Sequence, residues 1–208
     1  MNVSADTVIA GSLTADDWAA RKVVLATGSA SDWGSAFNDF FLQRLQLRYL
    51  DPIKVLQENG SCLGEGFSIV AIQCSLVEFL ESSFQGKNYK WLSQGQLLGA
   101  HEYSVSKDIF VSFLSNRPPF SGIFTIASAR DFYVNVRCGL LHEARTKNGW
   151  KIWAYDSSGA IADTTSRVVY RDNFQEGLLN YIQQYGQDLQ TDKALQEAFV
   201  RKLDGLCV

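Results

Sequence analysis

The chain has 208 residues, of which 46% are apolar and 20% charged, and its formal net charge of −3 excludes a protein that coats nucleic acid through overall positive charge. This length and composition predict one domain over residues 1–208, with a core that needs no disulfide or metal. No run of about 20 apolar residues and no secretory signal pattern is present. We therefore expect a cytoplasmic protein without membrane contact.

Cysteine and histidine are few. The chain has two histidines, His101 and His142, and four cysteines, without any Cys-x-x-Cys spacing, at positions 62, 74, 138 and 207. A zinc site would have to gather its ligands from distant parts of the chain. We therefore expect no metal site and no cofactor, buried free thiols at the four cysteines, and a surface or loop position for His101.

Two helices are predicted in the N-terminal part of the chain. Thr14, followed by Asp17 three positions later, has the pattern of a capping box, and the helix that it begins should end near Gly28. A second helix should begin at Ser31-Asp32. Proline lacks the backbone N–H that a helix interior requires, so Pro52 should end or kink this second helix.

A third predicted helix lies between Gly64-Glu65-Gly66 and Gln85-Gly86. Its apolar residues recur at helical spacing over a broad band, which predicts a helix buried at the centre of a bundle. A glycine-rich turn before a helix also occurs in nucleotide-binding motifs, but no strand is predicted before this one. We interpret the glycines as a loop that lets the buried helix start tightly.

Two further helices are predicted before residue 145. The first covers Ser106 to Leu114 and is stopped by Pro118-Pro119, and the second runs from about Ser121 to Arg145. Together with the earlier elements they place the core helices within residues 35–145. Residues 87–105 carry mixed signals and predict no clear element.

The pattern changes after the turn signal Asn148-Gly149. Residues 149–171 alternate and are β-rich, which predicts a small β-hairpin or ribbon. Two C-terminal helices are expected within residues 173–205, the first of them opened by a capping-box pattern at Asn173. The predicted fold class is therefore mainly α, a bundle of four or more core helices with a small ribbon attached.

The long helix before the ribbon carries His142 in a locally basic segment. Residues 130–151 contain five basic residues and only two acidic ones, Asp131 and Glu143. The basic residues are Arg130, Arg137, Arg145, Lys147 and Lys151. A polyanion that docked there would gain phosphate contacts from these arginines and lysines. A solvated helix end, where basic residues suit the helix dipole, is the favoured interpretation from the residues alone.

Arg137 and His142 are five positions apart. On a helix this spacing gives an angular offset of about 140° and a rise of roughly 7.5 Å, so the two side chains do not form a same-face pair. They can line opposite walls of one groove or meet partners from a second copy of the chain.

The hexapeptide Arg137-Cys138-Gly139-Leu140-Leu141-His142 fits the R-x4-H element of the HEPN superfamily of helical domains. With the buried helix before it (residues 69–89) and the segment 132–152 around it, the chain resembles uncharacterised bacterial HEPN-like proteins over about residues 35–190. The resemblance implies a homodimer with a composite cleft. It also implies a metal-independent endoribonuclease, acting as a toxin or in phage defence.

The resemblance also implies roles for individual residues. Arg137 would hold the scissile phosphate and His142 would act as general acid or base while the ribose 2′-hydroxyl attacks. Arg145 and Lys147 would contact the RNA backbone. One of the two carboxylates on the buried helix, Glu78 or Glu81, would contact the arginine, although exposure to solvent is an equal alternative for Glu81.

One position departs from the family pattern. Active members usually carry Asn, Asp or His directly after the arginine, whereas this chain has Cys138. A thiol is a weak hydrogen-bonding group, so the alternative function is a catalytically inactive module that binds a protein such as an antitoxin, a nucleotide or RNA. Three aromatic residues could stack bases, but core or ribbon packing is the favoured interpretation for Tyr133, Trp150 and Trp153.

Overall fold

The computed structural model of the chain describes residues 6–61 and 63–207, so the expectation for Cys62 lies outside the described residues. The chain divides into two compact units. Unit 1 comprises residues 6–51, 82–104 and 182–207, and unit 2 comprises residues 52–81 and 105–181, apart from position 62. Most described residues are helical, which confirms the mainly α class, whereas the single domain stays a prediction.

The helices follow the order of the predicted ones. The α-helical segments are α1 (Ala15–Leu25), α2 (Ala30–Ala36), α3 (Gln43–Leu45), α4 (Asp51–Asn59), α5 (Glu65–Phe84), α6 (Ser106–Asn116), α7 (Ile126–Phe132), α8 (Cys138–Glu143), α9 (Arg171–Asp188) and α10 (Lys193–Asp204). Three π-helical segments and one 3-10 turn join some of them, at Phe37–Leu42, Gln46–Leu50, Tyr133–Arg137 and Phe120–Gly122.

The strands are short. They are β1 (Val8–Ala10), β2 (Leu13–Thr14), β3 (Asn88–Tyr89), β4 (Glu102–Tyr103), β5 (Lys151–Trp153), β6 (Ala162–Asp163) and β7 (Val168–Tyr170). The pair β1–β2 is antiparallel and the pair β3–β4 is parallel. The last three strands form one sheet in the order β5-β7-β6.

The first helix begins as the sequence predicts. The backbone N–H of Thr14 donates to Asp17 Oδ2 at 2.7 Å, and the N–H of Asp17 donates to Thr14 Oγ1 at 3.3 Å. These hydrogen bonds hold the pKa of the Asp17 carboxyl below its usual value. The second helix has the same capping box two residues earlier than predicted, between Ser29 and Asp32, because the serine at 29 has the acid three positions after it.

Pro52 does not end the second helix. Helical conformation continues from Ala30 to Asn59, with two π-helical segments on the way. Pro52 is the second residue of α4, directly after the π-helical segment Gln46–Leu50. In the first turn of a helical segment the missing N–H of proline costs little. The prediction that this residue ends the helix is therefore wrong.

Unit 1 is built around aromatic side chains. The indole of Trp18 packs edge-on against Phe40 at 5.2 Å between ring centroids, and Phe41 stacks on Tyr185 at 5.1 Å. Trp18 is buried, and its Nε1–H donates to Asp204 at 2.8 Å. Because Trp18 is buried and its Nε1–H is hydrogen-bonded, this side chain fixes α1 against α10.

The core of unit 2 is centred on Phe132. Its ring lies 5.0 Å from Trp150 and 5.5 Å from Phe124, with Phe110 and Phe174 on its other sides. Since these residues come from α6, α7, α9 and the loops around them, one side chain ties most of the unit together.

Helix α5 is the long apolar helix that the sequence predicts. By length and composition it could cross a membrane, but 56% of its most apolar window is buried inside the protein. Gln73 and Glu81, on the same helix, are fully buried and hydrogen-bonded to other residues of unit 2. Buried polar side chains with protein partners are typical of a core helix.

The predicted ribbon is a three-stranded mixed sheet. Strand β5 pairs with β7 in parallel, with Lys151 opposite Val168, and β6 pairs antiparallel with β7. The predicted start of the next helix at Asn173 is wrong, because α9 begins at Arg171. The Asn173 side chain instead binds the backbone of Asp156, accepting from its N–H and donating to its carbonyl, both at 3.0 Å.

The R-x4-H residues lie on a helix made of α7, the π-helical segment Tyr133–Arg137 and α8, which we call the motif helix (residues 126–143). It starts five residues later than predicted because Thr125 caps it, its Oγ1 accepting from the N–H of Ser128 at 3.2 Å. It ends at Glu143, where Ala144 adopts a left-handed conformation with φ of 52°.

Candidate functional site

The guanidinium of Arg137 is held by two neighbours. Its Nη2 lies 3.5 Å from Glu78 Oε2 on α5, and its Cζ lies 5.5 Å from the centre of the Tyr133 ring, one turn earlier on the motif helix. Both contacts favour a positive charge at this point. Of the two carboxylates considered from the sequence, Glu78 is the one that contacts the arginine.

Two neutral groups complete the surroundings of Arg137. Burial raises the pKa of the Tyr133 hydroxyl to about 12, and a hydrogen bond with the Cys138 thiol acts in the same direction. Burial likewise raises the pKa of the Cys74 thiol to about 12. At neutral pH the phenol and this thiol are therefore uncharged.

The cysteines match the sequence expectation in part. Cys74, Cys138 and Cys207 are all free thiols. Only Cys74 is buried, while Cys138 and Cys207 are half-buried, so the expectation of buried thiols is wrong for these two. The reason at position 138 is geometric, since this residue begins α8 on a side of the motif helix that is only partly covered.

His142 lies on the exposed side of α8. Within residues 6–61 and 63–207 its imidazole makes no hydrogen bond and no ion pair. Three large apolar side chains of the motif helix are also exposed, Leu141 by 61%, Ile126 by 56% and Val134 by 49%. Within one chain no hydrogen bond joins His142 to Arg137 among the described residues, in agreement with their spacing. His101 is exposed in a turn, as expected.

The basic segment is partly neutralised. Glu143 forms ion pairs with Arg145, at 2.8 Å, and with Lys147, and these hydrogen bonds hold the pKa of Glu143 below its usual value. Arg130 and Lys151 are exposed and have no ion pair in the described part of the chain. An RNA phosphate would therefore compete with Glu143 for contact with Arg145 and Lys147.

Asn135 fixes the turn that follows the motif helix, a role that sequence reasoning missed. The side chain of Asn135 is buried, donates to Asp131 at 2.8 Å and accepts from Asn148 at 2.9 Å. Its backbone carbonyl accepts from the N–H of Lys147 at 2.8 Å. A polar Asn among apolar residues of the helix, followed by Asn148-Gly149, is the signal that could have revealed this contact.

Replacing Gly139 by alanine should destabilise this turn. An added Cβ at Gly139 would lie 2.5 Å from the backbone oxygen of Arg145, and a backbone atom has little room to move. We expect a loss of about 1–3 kcal/mol in the free energy of unfolding, the usual cost of overpacking. Urea denaturation measures it. Gly122→Ala is the matched control, because an added Cβ there meets no atom within 4 Å, and equal losses in both variants would contradict the prediction.

Glu81 belongs to a separate polar cluster. It is fully buried, and its carboxylate accepts from Arg117 Nε at 2.8 Å, from Arg117 Nη2 at 3.1 Å and from the Ser112 hydroxyl at 2.7 Å. The interpretation that Glu81 faces solvent is therefore wrong. The physical reason is that a two-pronged guanidinium and a hydroxyl together satisfy the buried carboxylate.

No group of three or more His, Cys, Asp and Glu side chains within residues 6–61 and 63–207 is arranged to hold a metal ion. The chain matches no protein-family model, no curated protein and no solved structure. Membership of the HEPN superfamily therefore stays a prediction from the residues around Arg137 and His142.

Proposed function

We propose that the protein is a metal-independent endoribonuclease of HEPN type, in which two copies of the chain contribute Arg137 and His142 to one RNA-binding cleft. The observation that carries the proposal is the state of these two side chains. Arg137 is oriented by Glu78 and Tyr133, and His142, one and a half turns later, is exposed and unengaged in the described part of the chain.

The arrangement suits cleavage by the ribose 2′-hydroxyl. Attack of this hydroxyl on the adjacent phosphorus breaks the bond to the 5′-oxygen and leaves a 2′,3′-cyclic phosphate. A guanidinium fixed in orientation stabilises the charge that builds up on the phosphate oxygens. An imidazole has one nitrogen that can accept a proton and one that can donate a proton, so His142 can accept the hydroxyl proton or deliver one to the leaving oxygen.

The homodimer is part of this proposal. The exposed apolar residues Val134 and Leu141 lie on the motif helix itself, beside Cys138 and His142. Pairing of two motif helices through these residues would bury apolar surface and bring both R-x4-H elements to one cleft. The same proposal includes a cytoplasmic location, a role as toxin or in phage defence, and an antitoxin or other protein that restrains it.

The proposal is tested by RNA cleavage. Purified protein is incubated with a mixed-sequence single-stranded RNA in the presence of EDTA, and the product ends are analysed. We expect cleavage that persists in EDTA and leaves 2′,3′-cyclic phosphate ends. Cleavage that stops in EDTA, or products with 3′-hydroxyl ends, would contradict the proposed mechanism.

Replacing Leu141 by aspartate should separate the dimer and abolish cleavage together, because a charge would replace an apolar contact at the centre of the proposed interface. Light scattering after size-exclusion chromatography measures the mass. Val23→Asp, at an apolar position on α1 that is 76% exposed, is the matched control. A monomeric wild-type protein, or a monomeric Leu141→Asp variant with full activity, would contradict the composite site.

A second candidate function is a binding module without catalytic activity. Cys138 favours a binding module. Its half-buried thiol is hydrogen-bonded to Tyr133 and takes the place of the polar residue that usually follows the arginine of the R-x4-H element. If wild-type protein binds RNA or a partner protein without cleaving RNA, this function is favoured. Cleavage that appears in Cys138→Asn would then assign the loss of activity to this one position.

A further inference from the structure

Unit 2 contains a cavity of about 230 Å³ away from the R-x4-H residues. It lies between the first turn of α5 and strand β5. The side chains and glycines that form it include Leu63, Gly64, Phe67, Ile152, Trp153 and Arg171. Two sequence features that the proposed function leaves unused meet here, the Gly64-Glu65-Gly66 turn and Trp153.

The walls of this cavity are aromatic and open to solvent. Trp153 is 53% exposed and Phe67 is 42% exposed. The indole of Trp153 is steadied on one side by the edge-on ring of Tyr170 at 6.0 Å. Trp150 behaves differently, because it is buried against Phe132. Core packing therefore explains Trp150, whereas Trp153 packs on the ribbon residue Tyr170 and still leaves about half of its side chain exposed.

The polar part of the cavity is a buried arginine. Arg171 is buried, its Nη1 lies 3.1 Å from Glu65 Oε1, and its Nε lies 3.5 Å from Asp172 Oδ1. The Glu65 carboxylate also accepts from the backbone N–H groups of Leu63 and Gly64, at 3.1 and 3.2 Å. Because the first amides before α5 are already occupied by a carboxylate, this cavity does not favour a phosphate group.

We propose that this cavity binds one nucleobase of single-stranded RNA, stacked against Trp153 and Phe67. Its volume is below the ~300 Å³ at which pockets hold a whole small ligand, so it suits a flat ring rather than a complete nucleotide. Exposed aromatic faces are the usual platform for unpaired bases. Lys151, two residues before Trp153 on β5, is exposed without an ion pair in the described chain and can meet the phosphate.

The choice of RNA rests on the proposed function. Along α5, Glu65 at the cavity and Glu78 at Arg137 are separated by about 20 Å, at 1.5 Å per residue. One nucleotide cannot reach both places. The cavity therefore holds a base of another nucleotide, further along the RNA than the cleaved phosphate. Because only an unpaired base can enter the cavity, the expected substrate is single-stranded RNA.

The test measures the affinity of the His142→Ala protein for a short fluorescein-labelled single-stranded RNA by fluorescence anisotropy. In this background, Trp153→Ala should raise the Kd about tenfold, within the range for loss of one stacked base, and Phe67→Ala should act similarly. Trp153→Phe should keep most of the affinity, which separates stacking from a folding defect. Trp91→Ala, at another exposed tryptophan, is the matched control and should leave the Kd unchanged.

Several results would overturn the inference. They are an unchanged Kd in Trp153→Ala, equal competition by double-stranded RNA of the same sequence, or an apolar peptide that binds at Trp153 while RNA does not. The two proposals fail separately. If RNA binding depends on Trp153 but wild-type protein cleaves no RNA, the nuclease proposal fails and the base site stands. If wild-type protein cleaves RNA but the Kd is unchanged in Trp153→Ala, the base site fails and the nuclease proposal stands.

Discussion

Replacement of His142 by alanine is expected to lower the rate of RNA cleavage by at least about 10²-fold, the usual contribution of a general acid or base. The imidazole is exposed and makes no hydrogen bond or ion pair in the described residues, so its removal breaks no internal contact. The melting temperature should therefore stay within about one degree of wild type, because exposed side chains without partners contribute little to stability. Initial rates on a single-stranded RNA, with a thermal melt alongside, measure both effects.

The matched control is His101→Ala, since His101 is the other histidine of the chain and is also exposed, in a turn. It should cleave RNA at the wild-type rate. If His142→Ala keeps its activity while Arg137→Ala also does, neither residue belongs to the mechanism. If the two histidine variants lose activity equally, the effect does not come from the R-x4-H element.

Replacement of Arg117 by alanine is expected to lower the free energy of unfolding by about 3–5 kcal/mol, because it leaves the Glu81 carboxylate buried without its ionic partner. Glu81 is fully buried, and two of its hydrogen bonds come from this guanidinium. A hydrogen bond such as the one from the Ser112 hydroxyl cannot replace a positive charge. Urea denaturation followed by circular dichroism measures the loss.

Two further variants isolate the cause. Arg145→Ala removes an arginine whose side chain is 67% exposed, and it should change the free energy of unfolding by less than about 1 kcal/mol. The double variant Arg117→Met with Glu81→Leu removes both charges and should recover most of the lost stability. An Arg117→Ala protein as stable as Arg145→Ala would show that the buried carboxylate does not depend on this partner.

Short-range sequence patterns account for the helices that the sequence predicts correctly, such as α1 and α5. Thr14 with Asp17 marks the start of α1, and the apolar band between Gly64 and Gly86 marks α5. These signals act within about four residues along the chain, so tertiary packing does not change them. Pro52 and Asn173 were misjudged for the opposite reason. Pro52 follows a π-helical segment that no periodicity reveals, and the Asn173 side chain binds Asp156, 17 positions away.

The candidate site divides in the same way. The sequence places Arg137 and His142 five positions apart and offers Glu78 and Glu81 as partners for the arginine. It could not choose between these carboxylates, because they lie three positions apart on one helix. Their arginine partners are 59 and 36 positions away, respectively. Likewise, the sequence could not show that Trp150 is buried and Trp153 is exposed. This difference arises because Trp150 packs against Phe132 in the folded chain and Trp153 does not.

By itself, the sequence determined the mainly α class, the order of the helices, the basic segment and the R-x4-H spacing. Each of these follows from residue type and from contacts with near neighbours. The tertiary structure alone decided that Glu78 holds Arg137, that Glu81 holds Arg117, that Glu143 pairs with Arg145 and Lys147, and that Trp153 is exposed at a cavity. The physical reason is that partner choice and burial depend on residues far apart in the chain, whose approach only the packed core fixes.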